Sequence, residues 1–380
     1  MRIAILGTRG IPNHYGGFEQ CAEYLALGLA QKGHEVFVYN SHNHPYQQSE
    51  WNNVKLIHIH DPEYKLGTIG QFVYDYKCIR DVRSRNCDVI LQLGYTSSSI
   101  WGWLLPKNVI VTTTMDGLEW KKTKYSKAVR KFLLYAEKLA VRFSDHLVCD
   151  SIGIQAYLRK RYGAVSTYIP YGAHIFKSPD PSILTEYQLE PYNYNLFIAR
   201  LQPENSIETI LDGVDIAQTD QPFLVIGNHL NKYGKFLKEK YKDNQNIRFI
   251  SGIYHTEKLN NLRFYSNIYF HGHTLGGTSP SLLDAMGSGS LVCANSNSFS
   301  SHILGTDALY FSTAADVSKH LKSVAKAQPL FAKYIMNNIR KVKEIYTWER
   351  ITERYEAHFL DSIQEQQNRP SKEQTSCASC

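Results

Sequence analysis

Short apolar runs of strand length alternate with longer stretches of helical periodicity along almost the whole chain, which predicts parallel sheets covered by helices. Residues 2–6 are the first such run. A glycine-rich loop follows, then apolar and small residues at helical spacing over 18–31, then a second run at 35–39, and together these read as a βαβ unit. Further strands are expected at 54–58, 88–93, 109–113 and 146–149, with a long helix over 127–143. The pattern breaks at Tyr168-Ile169-Pro170-Tyr171-Gly172-Ala173, and Ser178-Pro179-Asp180-Pro181 prolongs the interruption, so the domain linker is placed there. A second series then runs through expected strands at 195–199, 223–227, 247–251, 267–270, 291–294 and 308–311. The repeat is one of architecture, without a shared sequence period. An amphipathic segment at 351–359 is expected to cross back and brace the first domain. The expected division is residues 1–170 as an N-terminal domain, 171–345 as a C-terminal domain, 346–363 as a closing helix, and 364–380 as a disordered tail.

Length and composition agree with this division. A chain of 380 residues exceeds what one hydrophobic core usually supports. Apolar content of 43% and charged content of 20% are those of a globular protein, and no stretch offers the roughly 20 uninterrupted apolar residues a membrane span needs. The opening residues 1–10 meet glycine and charge where a signal peptide would stay apolar, so they read as a first strand and the expected location is cytoplasmic. The 7 cysteines show no ligand-like pairing except Cys377 and Cys380, which sit in the polar tail, so neither a metal nor a cofactor is expected. A net charge of +7 admits nucleic acid, an anionic membrane surface or anionic substrates, and its distribution must decide among them.

Three loops carry the candidate chemistry. The first, from Gly7 through Arg9, His14, Tyr15, Gly16 and Gly17 to Glu19, joins a strand to a helix whose amino end presents unpaired N–H groups suited to phosphate. It matches neither a dinucleotide fingerprint nor a P-loop. The second follows an apolar strand and runs from His271-Gly272-His273 through Gly276, Gly277, Thr278, Ser279 and Pro280 into a helix carrying Asp284. There the glycines let backbone amides approach a diphosphate, Pro280 suits a first helical turn, and Asp284 can accept from ribose hydroxyls. The third places Arg200 just after a strand, with Asn205 beyond it, where a guanidinium can fork onto phosphate oxygens. Each loop also has a structural reading: a turn, a solvated helix charge, and an Arg200 paired with Glu204.

On these motifs the chain resembles the retaining two-domain glycosyltransferases of the GT-B type, family 4-like, and within them a rhamnosyltransferase-like bacterial subgroup. The resemblance rests on the opening Gly-x-Arg-Gly-Ile-Pro-x-x-Tyr-Gly-Gly-Phe-Glu pattern and on Asp116-Gly117-Leu118-Glu119-Trp120. It rests equally on residues 199–205, on residues 276–286, and on Tyr346-Thr347-Trp348-Glu349. It implies an α/β fold of two facing Rossmann-like parallel-sheet domains with a cleft between them. It also implies a hexosyltransferase that moves a sugar, rhamnose in the subgroup, from a dTDP- or UDP-linked donor to a glycan or lipid-linked acceptor in capsule or lipopolysaccharide synthesis. Donor binding is then expected at Gly16, Gly17, Arg200, Asn205, Gly276, Gly277, Thr278, Ser279 and Asp284, with Arg9, His14, Tyr15 and Glu119 on the acceptor side. Asp116 stands where relatives often carry a histidine near the reacting sugar, and with Arg200 it is the catalytic candidate. Helix capping is the alternative role for Asp116. The wider family carries two glutamates eight positions apart where this chain has Gly276 and Asp284, and a lysine where it has Asn205.

The reaction's demanding step is departure of the diphosphate. Amides and Arg200 can stabilise that charge, and the chain contains no Asp-x-Asp metal motif. Lys121, Lys122, Lys124, Lys127, Arg130, Lys131, Lys138 and Arg142 stand against Glu137 alone and are interleaved with aromatic and aliphatic residues. That segment reads as a basic amphipathic surface for an anionic membrane, peripheral on its inner face, or else as an ordinary solvated helix face. No nucleic-acid recognition motif accompanies it, so no nucleic-acid partner is expected. A nucleotide-sugar 2-epimerase on the same scaffold and a non-catalytic sugar-nucleotide-binding subunit remain as alternative functions.

Overall fold

The computed structural model describes residues 1–115, 117–122, 125–253 and 255–368. The chain divides into two compact units. The first comprises residues 1–115 and 131–169 with the C-terminal segment from Ile351; the second comprises residues 117–130 and 170–350. Asp116, Lys124 and the tail beyond residue 368, Cys377 and Cys380 included, lie outside the described residues.

The first unit is built on an eight-stranded sheet of order β3-β4-β2-β1-β5-β6-β7-β8. Its strands are β1 (Arg2–Leu6), β2 (Glu35–Ser41), β3 (Glu50–Trp51), β4 (Val54–Ile59), β5 (Val89–Leu93), β6 (Ile110–Met115), β7 (His146–Cys149) and β8 (Thr167–Tyr168). All neighbours are parallel except the short edge strand β3, which returns antiparallel to β4 and is too brief to show in the apolar pattern. The central strands are buried on both faces, as continuous runs such as Ile3-Ala4-Ile5-Leu6 and Val89-Ile90-Leu91 require of a helix-covered parallel sheet. The helix Gly17–Gln31 buries Cys21, Ala22, Leu25, Ala26 and Leu29, a stripe at helical spacing. The helix Lys127–Phe143 buries Leu133, Ala136, Glu137 and Ala140.

The second unit holds a six-stranded, wholly parallel sheet of order β11-β10-β9-β12-β13-β14. Its strands are β9 (Asn195–Ile198), β10 (Phe223–Ile226), β11 (Ile247–Ile250), β12 (Tyr269–His271), β13 (Val292–Asn295) and β14 (Leu309–Phe311). The chain winds outward from β9 on one side and from β12 on the other. The C-terminal ends of β9 and β12 therefore flank the point where the strand order reverses, the usual location of a ligand in such sheets.

The closing helix, Trp348–Gln367, starts inside the expected 346–363 and overruns its end into the expected tail from residue 364. Ile351, Tyr355, Phe359 and Ser362 are buried along one face, and His358 lies between the hydroxyls of Thr112 and Thr167. The polar residues 364–367 continue the helix because Gln and Glu are good helix formers and the preceding turn is anchored. Burial, with His146 adding to it, holds the His358 imidazole down at about 4, so it is neutral at physiological pH. Among the described residues no helix is long and apolar enough to cross a membrane.

Candidate functional site

In the second unit, the loops after β9 and β12 are fastened to each other. Thr274 donates both its N–H (3.0 Å) and its hydroxyl (2.9 Å) to the Glu204 carbonyl. Gly272 lies so close to this loop that a Cβ there would sit 1.9 Å from the Asn205 carbonyl oxygen. The Asn205 side chain is buried and donates to the Arg200 carbonyl at 2.7 Å. It closes its own loop, so the amide expected as a donor contact already has a partner within the protein. Arg200 is exposed, and its guanidinium makes no hydrogen bond or ion pair among the described residues, Glu204 included. A charge this uncommitted is available to an anion.

The helix Pro280–Gly287 begins beside these loops, with Pro280 in its first turn and Ser279 at the cap position without a side-chain cap bond. No acidic residue lies in its first turn, so the positive end of the helix has no internal carboxylate there. Gly276 holds φ +128, a backbone conformation that L side chains rarely adopt, with Gly277 next and Thr278 buried. Gly276 is therefore required by the turn itself. Gly117 packs on the same backbone: a Cβ at 117 would stand 2.8 Å from the Gly276 Cα.

Asp284 is not a solvated helix charge. Its carboxylate faces Arg263 at 3.5 Å, and Arg263 is only 3% exposed, with its Nε buried and unpartnered. Burial raises the carboxyl pKa while Arg263 and His174 pull it down. A ribose contact at Asp284 would compete with this ion pair.

His273 lies within the second loop and is not among the expected site residues. Its ring stacks on that of His271, centroids 4.6 Å apart and planes 9° apart, and Asn297 donates to its carbonyl at 2.8 Å. Its Nδ1 is buried without a partner. Burial first, then the charges of Arg200 and Lys122, lower its pKa to about 4. The signal in the sequence was a pair of histidines around a glycine at a strand end, which periodicity reads only as the end of a strand.

The first unit presents the other expected residues differently. Arg9 forks onto Glu63 with contacts of 2.7, 2.9 and 3.1 Å and lies 3.9 Å over the Tyr15 ring, so its charge is already engaged. Exposed His14 meets His44 edge-on at 4.4 Å. Gly16 and Gly17 open the helix Gly17–Gln31, but Glu19 supplies a carboxylate in that first turn and accepts the Arg9 N–H at 3.0 Å. The anion this helix end attracts is thus internal, unlike the end at Pro280. Glu119, expected on the acceptor side, packs with the second unit and is closely paired with Lys122. Asp116 lies outside the described residues, so no geometry bears on its expected role.

The first 174 residues match the model of a family described as a domain of unknown function (DUF1972). No curated protein sequence matches the chain. Among solved structures, the chain is similar to sucrose-phosphate synthase from Thermosynechococcus elongatus, at 17% identity and a TM-score of 0.80, over 96% of this chain and 99% of that one. It is also similar to HepE of Anabaena in complex with UDP and glucose, at 15% identity and a TM-score of 0.74, over 95% and 100%. A third similar structure is WaaG, a glycosyltransferase involved in lipopolysaccharide biosynthesis, at 14% identity and a TM-score of 0.67, over 93% and 98%. At these identities the likeness establishes architecture: two Rossmann-like parallel-sheet domains in an α/β fold of the GT-B kind.

Proposed function

We propose that this protein is a glycosyltransferase that moves a sugar from a nucleoside-diphosphate donor to a glycan or lipid-linked acceptor, with the donor held by the second unit. One observation carries the reading: uncommitted Arg200 stands at the strand-order reversal near a helix start that follows two glycines and has no acidic residue in its first turn. The GT-B architecture supports it, as does the presence of UDP and glucose in the similar structure of HepE. In the proposed reaction the backbone N–H groups of Ser279 and Ser281 and the Arg200 guanidinium stabilise the departing diphosphate as positive charge builds on the anomeric carbon. Retention of anomeric configuration, rhamnose as the transferred sugar and a place in surface-polysaccharide synthesis are the finer parts of the proposal. They rest on the motif resemblance, as does a role for Asp116 beside the reacting sugar.

Arg200→Ala tests the donor site. Loss of a charge-assisted contact is worth about 1.5–3 kcal/mol, or roughly a tenfold to hundredfold weaker affinity for UDP or dTDP, with the melting temperature unchanged. Calorimetric titration of both proteins measures this, and equal affinities would remove Arg200 from the site. Donor consumed without an acceptor would indicate an epimerase, and donor bound without turnover a binding subunit.

Docking of the first unit on an anionic leaflet is a further part of the proposal. Lys131, Lys138 and Arg142 are exposed and fall on one face of the helix Lys127–Phe143, with Tyr135 (56% exposed) at its margin. Trp103, 65% exposed, adjoins Gly102, which packs on Phe143 at the end of that helix. Glu137 does not offset these charges, because it is buried and accepts from the hydroxyls of Tyr157 and Tyr162 at 2.7 and 2.6 Å. Lys122, engaged by Glu119, leaves the expected basic set. Each exposed cation contributes about 1 kcal/mol near an anionic surface, screened within ~8 Å at physiological salt. The protein should therefore sediment with anionic vesicles at low salt and not with neutral ones. The triple change of Lys131, Lys138 and Arg142 to glutamine should abolish this, and a wild type that ignores anionic vesicles would end the docking proposal.

A further inference from the structure

The imidazole of His273 has no assigned task, and its surroundings define which proton it carries. Its Nδ1 is buried with no hydrogen-bond partner. An unpaired buried N–H costs more than an unpaired lone pair, because a buried donor left orphaned is the rarer and less tolerated case. The ring proton therefore belongs on Nε2, which makes no bond within the protein among the described residues. His273 as a whole is only partly buried, so its remaining exposure lies away from Nδ1. The ring is held by stacking on His271 and by the bond from Asn297 to the His273 carbonyl. Burial first, and then the charges of Arg200 and Lys122, keep the imidazole neutral.

We infer that His273 is a donor-binding residue, offering its Nε2–H as a neutral hydrogen-bond donor to the diphosphate gathered by Arg200. This rests on the function proposed above. Charge economy favours the neutral ring: a third cation beside Arg200 and Lys122 would be repelled, whereas a neutral N–H adds a directed contact to an anion at no electrostatic cost. The arrangement also supplies a side-chain contact in a loop where Gly276 has none to offer. A residue that only filled space between the β9 and β12 loops would need neither the Nε2 proton nor a fixed ring plane.

The test compares UDP and dTDP with uridine and thymidine as calorimetric titrants of the full chain, in wild type and in His273→Phe, His273→Gln and His273→Asn. The glutamine amide nitrogen reaches the place of Nε2, and the asparagine amide that of Nδ1. His273→Phe is expected to weaken diphosphate binding about tenfold or more, the worth of a hydrogen bond to a charged group, and to leave nucleoside binding alone. His273→Gln should keep most of the affinity, and His273→Asn should behave like phenylalanine. Wild-type affinity in His273→Phe, or rescue by asparagine in place of glutamine, would overturn the inference. Should the phenylalanine variant fail to fold, the glutamine and asparagine pair decides alone. If folded wild type binds neither UDP nor dTDP, the function proposed above falls first, and its failure is thereby distinct from that of the histidine contact.

Discussion

Asp284→Ala should destabilise the second unit by about 3 kcal/mol, the low end of the cost when a buried ion pair loses one partner. Arg263 is the reason. Its guanidinium is buried, donates to Asn260 at 3.0 Å and has its Nε unpartnered, so Asp284 at 3.5 Å is the carboxylate that balances its charge. The low end applies because the contact is long and the Asp284 side chain keeps 23% exposure. For a unit of this size, such a loss lowers the melting temperature by roughly 6–12 °C. Asp284→Asn, which keeps an acceptor but not the charge, should fall between, and Arg263→Met in the Asp284→Ala background should recover much of the loss by removing the unbalanced cation. Thermal unfolding followed by circular dichroism measures all three. An Asp284→Ala protein that melts with wild type yet loses affinity for UDP and dTDP would return Asp284 to a purely ligand-binding role.

That the carboxylate has this partner was not legible in the chain, and the reason is general to what pattern can convey. Periodicity reports which face of an element is buried, and it placed nearly every strand within a residue or two, because helix-covered parallel strands are continuous apolar runs. The helix Lys127–Phe143 was readable at both ends for the same reason. Pairing across the fold leaves no such trace. Nothing in the spacing of Arg9 announces Glu63, nor does Arg263 announce Asp284, although each pairing decides whether a charge is available to a ligand. Asn205 read as a donor contact because its neighbours resemble a ligand loop. Its buried amide instead holds the Arg200 carbonyl, a task that composition cannot reveal. Residues 117–130 follow a strand of the first sheet and were counted with it, but they pack with the second unit through contacts such as that of Gly117 with Gly276. The loops after β9 and β12 were themselves legible as strand-to-helix junctions, the latter glycine-rich.

Placing a glutamate at position 276 should harm this protein instead of improving it. At φ +128 the backbone of Gly276 lies where side chains with a Cβ are strained, at a cost of order 1–3 kcal/mol. Crowding is not the cause, because nothing lies within 4 Å of a Cβ built there. The strain would be relieved by rotating the turn, and rotation would move the amides at the start of the helix Pro280–Gly287 and press the backbone against Gly117, whose own Cβ position is 2.8 Å from the Gly276 Cα. Gly276→Glu and Gly276→Ala should therefore lose UDP or dTDP affinity alike, because the backbone and not the added charge is at fault. Gly117→Ala should reproduce part of the loss from the other side of the contact, since it meets backbone that has no rotamer to change. Melting temperature and calorimetric affinity separate the two causes. If Gly276→Glu bound the diphosphate more tightly or turned over faster while Gly276→Ala did not, the carboxylate would be supplying a contact the turn was able to accommodate, and the conformational account of this glycine would fail.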